Sequence, residues 1–395
     1  MAGINFISMF SGAGGLDLGF ERAGWSRLLA NDIDRDSAAT LRSNTKMALR
    51  NSVVEADIRS LSVSDIKARA GGLAPGSLTA IVGGPPCQSW SSAGHQLGMK
   101  DDRGQLFLDF IQLANRLDPR FIVMENVRGL LTARGTDGAP GSALAMIRED
   151  LRQEGWQTTV SLLNAADYGV PQRRVRLFVV AYREGDRPVF PIATHSKEPN
   201  ALTQRWVSLR AALSRVRDLA DDEVIRPSEK LAEELRDVRP GSGVKSPGKP
   251  ETTRPGGHWG YKQGAFVADF AQPARTVTAS TAQDWVVDPK RGLRRLSPRE
   301  CAAIQTFPPQ WKWVGGRASV YRQIGNAVPP RLAEALAWSI GEQAGRERAV
   351  EAPTVVELEP LAPNLAAAIA YTVRDSTRNG ASRRAAPVKR RMRAV

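Results

Sequence analysis

Along the first 180 residues, short apolar runs alternate with longer stretches in which apolar positions recur at helical spacing. Runs bounded by Gly, Pro, Asn or Asp read as strands. The pattern predicts strands at Asn5–Met9, Arg27–Ala30, Ser52–Glu55, Thr79–Val82, Phe121–Met124, Thr158–Leu162 and Arg176–Ala181. Helical periodicity lies between them, as at Leu106–Arg116 and Ser142–Glu154. Such alternation builds an α/β fold with a doubly wound, mostly parallel sheet, whose ligands gather at the carboxyl ends of its strands.

From Arg183 to Ala274 the pattern changes. An amphipathic stretch, Leu209–Leu235, is followed by Val238–Gly257, where Gly, Pro, Ser and Lys indicate a loop region. Order returns at Ala274–Ser280, and Ser297-Pro298-Arg299-Glu300 has the form of a capping box with proline at the first helical position. A last periodic segment, Pro330–Ala344, precedes a Pro/Ala/Glu-rich linker. The expected division is a main domain over 1–182, completed by about 320–345, a smaller domain over 183–319, and a linker with a basic, flexible tail over 346–395.

Composition narrows the class. Hydrophobic content of 42% and charged content of 24% suit a globular enzyme, and no apolar run is long enough to span a membrane. The start, MAGINFISMFSGAGG, does not read as a signal peptide. Cys87 and Cys301 cannot make a disulfide framework or a four-cysteine site, and His95, His195 and His258 form no ligand motif, so no metal is expected. A net charge of +14 suggests a polyanionic partner, but half of it sits in the last 25 residues. That tail reads equally as a solvated end or as a grip on nucleic acid.

Candidate chemistry collects at the predicted strand ends. Phe10-Ser11-Gly12-Ala13-Gly14-Gly15 is a glycine turn that would let backbone approach a cofactor, though such turns follow many strands. Asn31-Asp32-Ile33-Asp34 offers a carboxylate to ribose hydroxyls, and Asp57-Ile58 could meet an adenine edge. Gly83-Gly84-Pro85-Pro86-Cys87-Gln88 presents a cysteine on a stiff turn, whereas Cys301 lies in the apolar run ECAAI. Glu125-Asn126-Val127 ends the strand Phe121–Met124 with a carboxyl group whose pKa a pocket could raise. In Gln172-Arg173-Arg174-Val175-Arg176 alternation turns Arg174 and Arg176 to one face, and buried arginines need anionic or carbonyl partners.

The ordered set FSGAGG, NDID, ADI, GGPPCQSWS, ENV, QRRVR, ARTVT and RQIGNAVPP resembles the cytosine-5 DNA methyltransferase family. The resemblance covers roughly residues 4–182 and 288–341, with a dissimilar stretch where the family keeps its target-recognition domain. It implies a Rossmann-like methyltransferase fold, S-adenosyl-L-methionine as methyl donor, no metal, and double-stranded DNA as partner. By resemblance Cys87 is the nucleophile at cytosine C6, Glu125 serves N3, and Arg174 and Arg176 hold the base O2 and support the catalytic loop. The same resemblance gives Phe10, Gly12, Gly14, Asp32, Ile33, Asp57, Ile58, Leu106, Asn326 and Val328 to the cofactor, and Gln88 and Arg103 to the DNA backbone. Three positions depart from the family: Asp32 replaces a longer glutamate, Ile33 a common aromatic, and Val175 a frequent glutamate. The first leaves the ribose role open between Asp32 and Asp34.

A nicotinamide dehydrogenase would account for the glycine turn and Asp32 but not for PPCQ, ENV or GNAVPP. A transfer-RNA cytosine methyltransferase of the same fold is the nearer alternative, but its Cys-Phe-Thr signature is missing here. Short length further implies, by analogy, a monomeric cytoplasmic enzyme of prokaryotic or phage origin. It would act in a restriction-modification system or alone, with no direct contact to any cognate endonuclease.

Overall fold

The computed structural model describes residues 3–86, 102–183, 187–216, 218–245, 264–344 and 358–384, with side chains except at 102–104 and 375–384. Its centre is a seven-stranded sheet of β1 (Asn5–Met9), β2 (Ser26–Asp32), β3 (Val53–Glu55), β4 (Ala80–Gly83), β5 (Phe121–Val127), β6 (Gln157–Asn164) and β7 (Val175–Tyr182). The spatial order is β3-β2-β1-β4-β5-β7-β6. All neighbours are parallel except β7, which runs antiparallel between β5 and β6. The expected doubly wound, mostly parallel sheet is therefore present. Strand order reverses at β1, and the β1–β4 crevice is the switch point where such sheets bind ligands.

Helices α1 (Gly15–Arg22), α2 (Arg35–Asn44), α3 (Val63–Arg69), α4 (Asp102–Leu117) and α5 (Ser142–Gln153) connect the strands. Central strands read as continuous apolar runs because helices cover both faces, and Phe121, Ile122, Val123 and Met124 of β5 are all buried. β3 is short, as suits a sheet edge.

The smaller region holds α6 (Leu209–Leu213), α7 (Glu229–Arg236) and a four-stranded sheet. A two-stranded piece, β8 (His195–Ser196) with β9 (Gln204–Arg205), precedes them. The sheet's strands run in the order β10 (Ser242–Gly243), β11 (Phe266–Val267), β12 (Trp285–Asp288) and β13 (Gly292–Arg295). The amphipathic stretch 209–235 spans α6 and α7 with a break between them; Pro227 lies just before α7, which Ser228 caps. Next come α8 (Pro298–Ile304), α9 (Arg317–Asn326), α10 (Pro330–Ala344) and α11 (Pro363–Arg384). At α8 the capping box forms: Ser297 Oγ accepts from Glu300 N, and Glu300 Oε2 accepts from Ser297 N.

Helix α10 closes the main layer. It buries Leu332, Ala333, Leu336, Ala337 and Ile340. A Cβ on Gly19 of α1 would lie 2.3 Å from Ala333 Cβ, so glycine sets how closely α1 and α10 approach. Trp25 Nε1 donates to Ala337 O, and the Arg120 guanidinium caps the helix end through Gln343 O and Ala344 O. Within the stretch read as linker and flexible tail, residues 363–384 form a helix, and Leu365 is buried.

Candidate active site

The singled-out residues that the structure describes at the strand ends come together along one edge of the sheet, because parallel strands end there and antiparallel β7 begins there. Phe10 follows β1 with φ at 54°, the left-handed region that L side chains seldom adopt, and its ring packs against Phe110 at 6.2 Å. Gly12 and Gly14 continue the turn with φ of 55° and 82°. Gly12 N donates to Asp32 Oδ2 at 2.7 Å and Asp34 N to Asp32 Oδ1 at 2.7 Å, so the Asp32 carboxylate joins the loops after β1 and β2. Burial pushes its pKa up, against the two backbone donors.

Asp34 has a different set of partners. It caps α2 through Ser37 N, accepts from Ser37 Oγ at 2.7 Å, and pairs with Arg322 at 2.8 Å. These hydrogen bonds and the Arg322 charge hold its carboxyl below the usual carboxylate range despite some burial. Between the two acids, Ile33 is 66% exposed, an aliphatic surface beside a half-buried carboxylate. Asp57 caps the short turn 58–60 and pairs with Arg59 at 2.6 Å, while Ile58 is buried in the core. Leu106 is half-buried against the same core.

Two further candidate residues lie at α9 and its exit. Asn326 is exposed at the helix end and Val328 is buried. A Cβ on Gly15 would lie 2.3 Å from Val328 O and 3.0 Å from Ala327 Cβ, so glycine is required where the β1 turn meets this distant segment. Gly325 is tighter still, since a Cβ there would be 2.2 Å from the Thr278 carbonyl.

Glu125, on β5, is paired with Arg176 of neighbouring β7, Oε1 to Nε at 2.9 Å, with both side chains 12% exposed. Burial raises the Glu125 pKa and outweighs the charges of Arg176 and Arg174 beside it. A Cβ on Gly84 would lie 2.9 Å from Glu125 Oε2, and Asn126 Nδ2 donates to Pro85 O at 3.1 Å. The Gly84–Pro86 turn therefore rests against Glu125 and is tied down by Asn126. Cys87 and Gln88 lie outside the described residues; Arg103 is in the first turn of α4, and its side chain is likewise outside them.

Arg174 and Arg176 both bring their charge to Glu125 but differ in their direct partners. Arg174 is fully buried and donates to Val277 O at 3.0 Å and Gly325 O at 2.6 Å. It joins the entry to β7, the segment before β12 and the end of α9, and reaches Glu125 through its charge.

Sequence reasoning missed a buried amide chain beside it. Gln172 Oε1 accepts from Val277 N at 2.8 Å, and its Nε2 donates to Gln305 Oε1 at 2.7 Å. Gln305 Nε2 donates in turn to Ile324 O and Ala327 O. Gln172 stood within a quoted motif; Gln305, one residue past α8, gave no signal. Asn126 was visible only as part of ENV. Among the described residues no group of His, Cys, Asp or Glu is placed to hold a metal, and no helix is long and apolar enough to cross a membrane.

Residues 4–342 match the model of a family described as C-5 cytosine-specific DNA methylase. The chain is 32% identical over 365 residues to Type II methyltransferase M.FnuDI of Fusobacterium nucleatum, covering 86% of this chain and 94% of that protein. It is 32% identical over 356 residues to Type II methyltransferase M.NgoPII of Neisseria gonorrhoeae, covering 85% and 95%. A putative DNA modification methyltransferase encoded within an Escherichia coli prophage superposes with a TM-score of 0.60 at 22% identity, over 87% of this chain and all of that one. The Spodoptera frugiperda DNMT2 mutant superposes with 0.61 at 18%, over 85% and 99%. These two share the fold.

Proposed function

The chain belongs to the C-5 cytosine-specific DNA methylase family, and on that premise we propose that it flips a target cytosine out of duplex DNA and methylates C5, with S-adenosyl-L-methionine as donor and Cys87 as nucleophile. The observation that carries this reading is the arrangement at the end of β5. A buried carboxyl of raised pKa, Glu125, lies against the turn that delivers Cys87 two residues later, and Asn126 holds that turn by the Pro85 carbonyl.

The pocket suits the proposed donor. Its glycine turn leaves open backbone at Gly12, Asp32 offers a desolvated carboxylate, and Ile33 offers an uncovered apolar surface. Asp32 would take the ribose hydroxyls, Ile33 and the Asp57–Ile58 backbone the adenine, and Phe10, Leu106, Asn326 and Val328 the remaining walls. Because Asp34 already serves as a helix cap and ion-pair partner, Asp32 is the better ribose ligand. S-adenosyl-L-methionine supplies an electrophilic methyl group when bound.

Cytosine C5 is a poor nucleophile. Addition of the Cys87 thiolate to C6, with proton donation from Glu125 to N3, makes C5 enamine-like. Arg176 orients the Glu125 carboxyl, and Arg174 fixes the segments behind it. After methylation, loss of the C5 proton to solvent re-forms the C5–C6 double bond and expels Cys87 as thiolate, and N3 returns its proton to Glu125. A stacked base cannot reach these groups, so it leaves the duplex, and Gln88 and Arg103 meet the backbone around it. The enzyme works in the cytoplasm as a monomer, within a restriction-modification system or alone.

Two measurements test this together. Labelled S-adenosyl-L-methionine should transfer label to duplex DNA and not to transfer RNA. Duplex carrying 5-fluorocytosine should trap wild-type protein in a denaturant-resistant complex that Cys87→Ala does not form. Turnover by Cys87→Ala within ten-fold of wild type would overturn the nucleophile.

A further inference from the structure

Residues beyond 342 lie outside the family match, yet part of them is built into the domain. Tyr182 OH donates to Glu359 Oε1 at 2.6 Å, Arg187 pairs with Glu359 at 3.1 Å, and Arg148 donates to the Glu359 carbonyl. Tyr182 is opposite Phe121, the first residue of β5, so Glu359 marks the sheet edge away from the catalytic strand ends. Leu361, Leu365, Ala368 and Ile369 then pack on the core that includes Leu130, Leu131 and Ala133. Ile369 reaches Gly141, where a Cβ would lie 3.0 Å from it. Leu130 and Leu131 belong to the turn that directly follows Glu125-Asn126-Val127. The segment thus climbs from the far edge of the sheet to the catalytic edge.

The helix does not stop there. Fifteen residues separate Ile369 from Arg384, about 22 Å of further helix at 1.5 Å per residue. Its composition divides at the same place. Pro363–Val373 contains no charged residue, whereas 374–384 holds Arg374, Arg378, Arg383 and Arg384 against the single acid Asp375. An uncharged half is docked, and a cationic half continues beyond it.

We propose that α11 is a docked arm whose cationic half grips phosphates of the substrate duplex on one flank of the flipped base. The inference rests on duplex DNA being the substrate. An anchored helix of net positive charge at the catalytic edge faces the most densely anionic ligand the site would receive, with one phosphate charge per ~1.7 Å of duplex axis. Three phosphate contacts would each release counterions and steepen the salt dependence by about 0.9. Such contacts add grip and carry no base information.

The full chain carrying Arg378→Gln, Arg383→Gln and Arg384→Gln together tests this. Glutamine keeps helix propensity, and none of the three positions belongs to the catalytic or cofactor groups. Binding to target and non-target duplexes is measured over a range of salt, with a hydroxyl-radical footprint of each complex. The slope of log affinity against log salt should become shallower by about two to three, equally for both duplexes. Protected phosphates should be lost on one flank only. An unchanged slope, or a change in slope with no one-sided loss of protection, overturns the arm. Methyl transfer at saturating duplex is read alongside: if wild type transfers none, the proposed substrate fails, while the footprint still decides the arm.

Discussion

Replacing Gln305 by methionine isolates the buried amide chain that ties the entry to β7 and the segment before β12 to the end of α9. Methionine is close to isosteric, so packing changes little and hydrogen bonding changes fully. Three groups lose a partner: Gln172 Nε2, Ile324 O and Ala327 O. The two carbonyls sit at the C-terminal end of α9, where intrahelical donors run out. A stranded buried group costs ~1–3 kcal/mol, with carbonyls toward the low end, so the loss should be about 3–5 kcal/mol. With an m value near 3 kcal/mol/M, the urea midpoint should fall by about 1–1.7 M. Because Asn326 lies between the two freed carbonyls and Val328 directly after them, the KM for S-adenosyl-L-methionine should rise as well. Gln172→Met should cost a similar amount, since it also strands Val277 N. The double variant should cost clearly less than the sum, with a coupling of ~1 kcal/mol or more. A loss under about 1 kcal/mol for Gln305→Met, or strict additivity, would refute the idea that these amides act as one chain.

The raised Glu125 pKa sets a pH dependence. If the protonated carboxyl serves N3, the single-turnover rate should fall as pH rises through that raised value; Glu125→Gln should be slower by about 10²-fold and lose the limb. A profile unchanged in the variant would return Glu125 to a structural role. In folding, the native state holds this proton longer than the unfolded chain, so stability declines as pH rises from the ordinary value of 4.5 to the raised one. Equilibrium unfolding across that window should therefore show a shallower pH slope in Glu125→Gln. Asp32→Asn should raise the KM for S-adenosyl-L-methionine with little change in stability. Asp34→Ala should do the reverse, losing about 1 kcal/mol as a cap is removed. Exchange of those two outcomes would move the ribose ligand to Asp34.

The sheet was legible in the sequence because each strand is a short apolar run bounded by turn formers, a signal written within a few adjacent residues. β1 matches its expected bounds, and the other six strands differ by one to three residues at an end. The capping box at Ser297 is equally local, needing only positions 297 and 300. Glu125, Asp32 and the glycine turn could be marked because the ends of parallel strands lie at one edge whatever the details of packing. Tertiary structure decided what depends on residues far apart in the chain. Nothing near Arg174 announces that its donors are used by Val277 and Gly325, 103 and 151 positions away. The roles of Asp32 and Asp34 separate only when Arg322 and the loop at Gly12 arrive beside them. Gly15 and Gly325 are ordinary glycines in sequence, and indispensable only because the Val328 and Thr278 carbonyls approach within 2.3 Å of where a Cβ would stand. Helix α11 combines both kinds of signal. Its charge is plain in the sequence, but its placement comes from Leu365 and Ile369 meeting a surface built more than two hundred residues earlier. Local propensity writes elements into the chain, whereas partners for buried polar groups are chosen by the topology that encloses them.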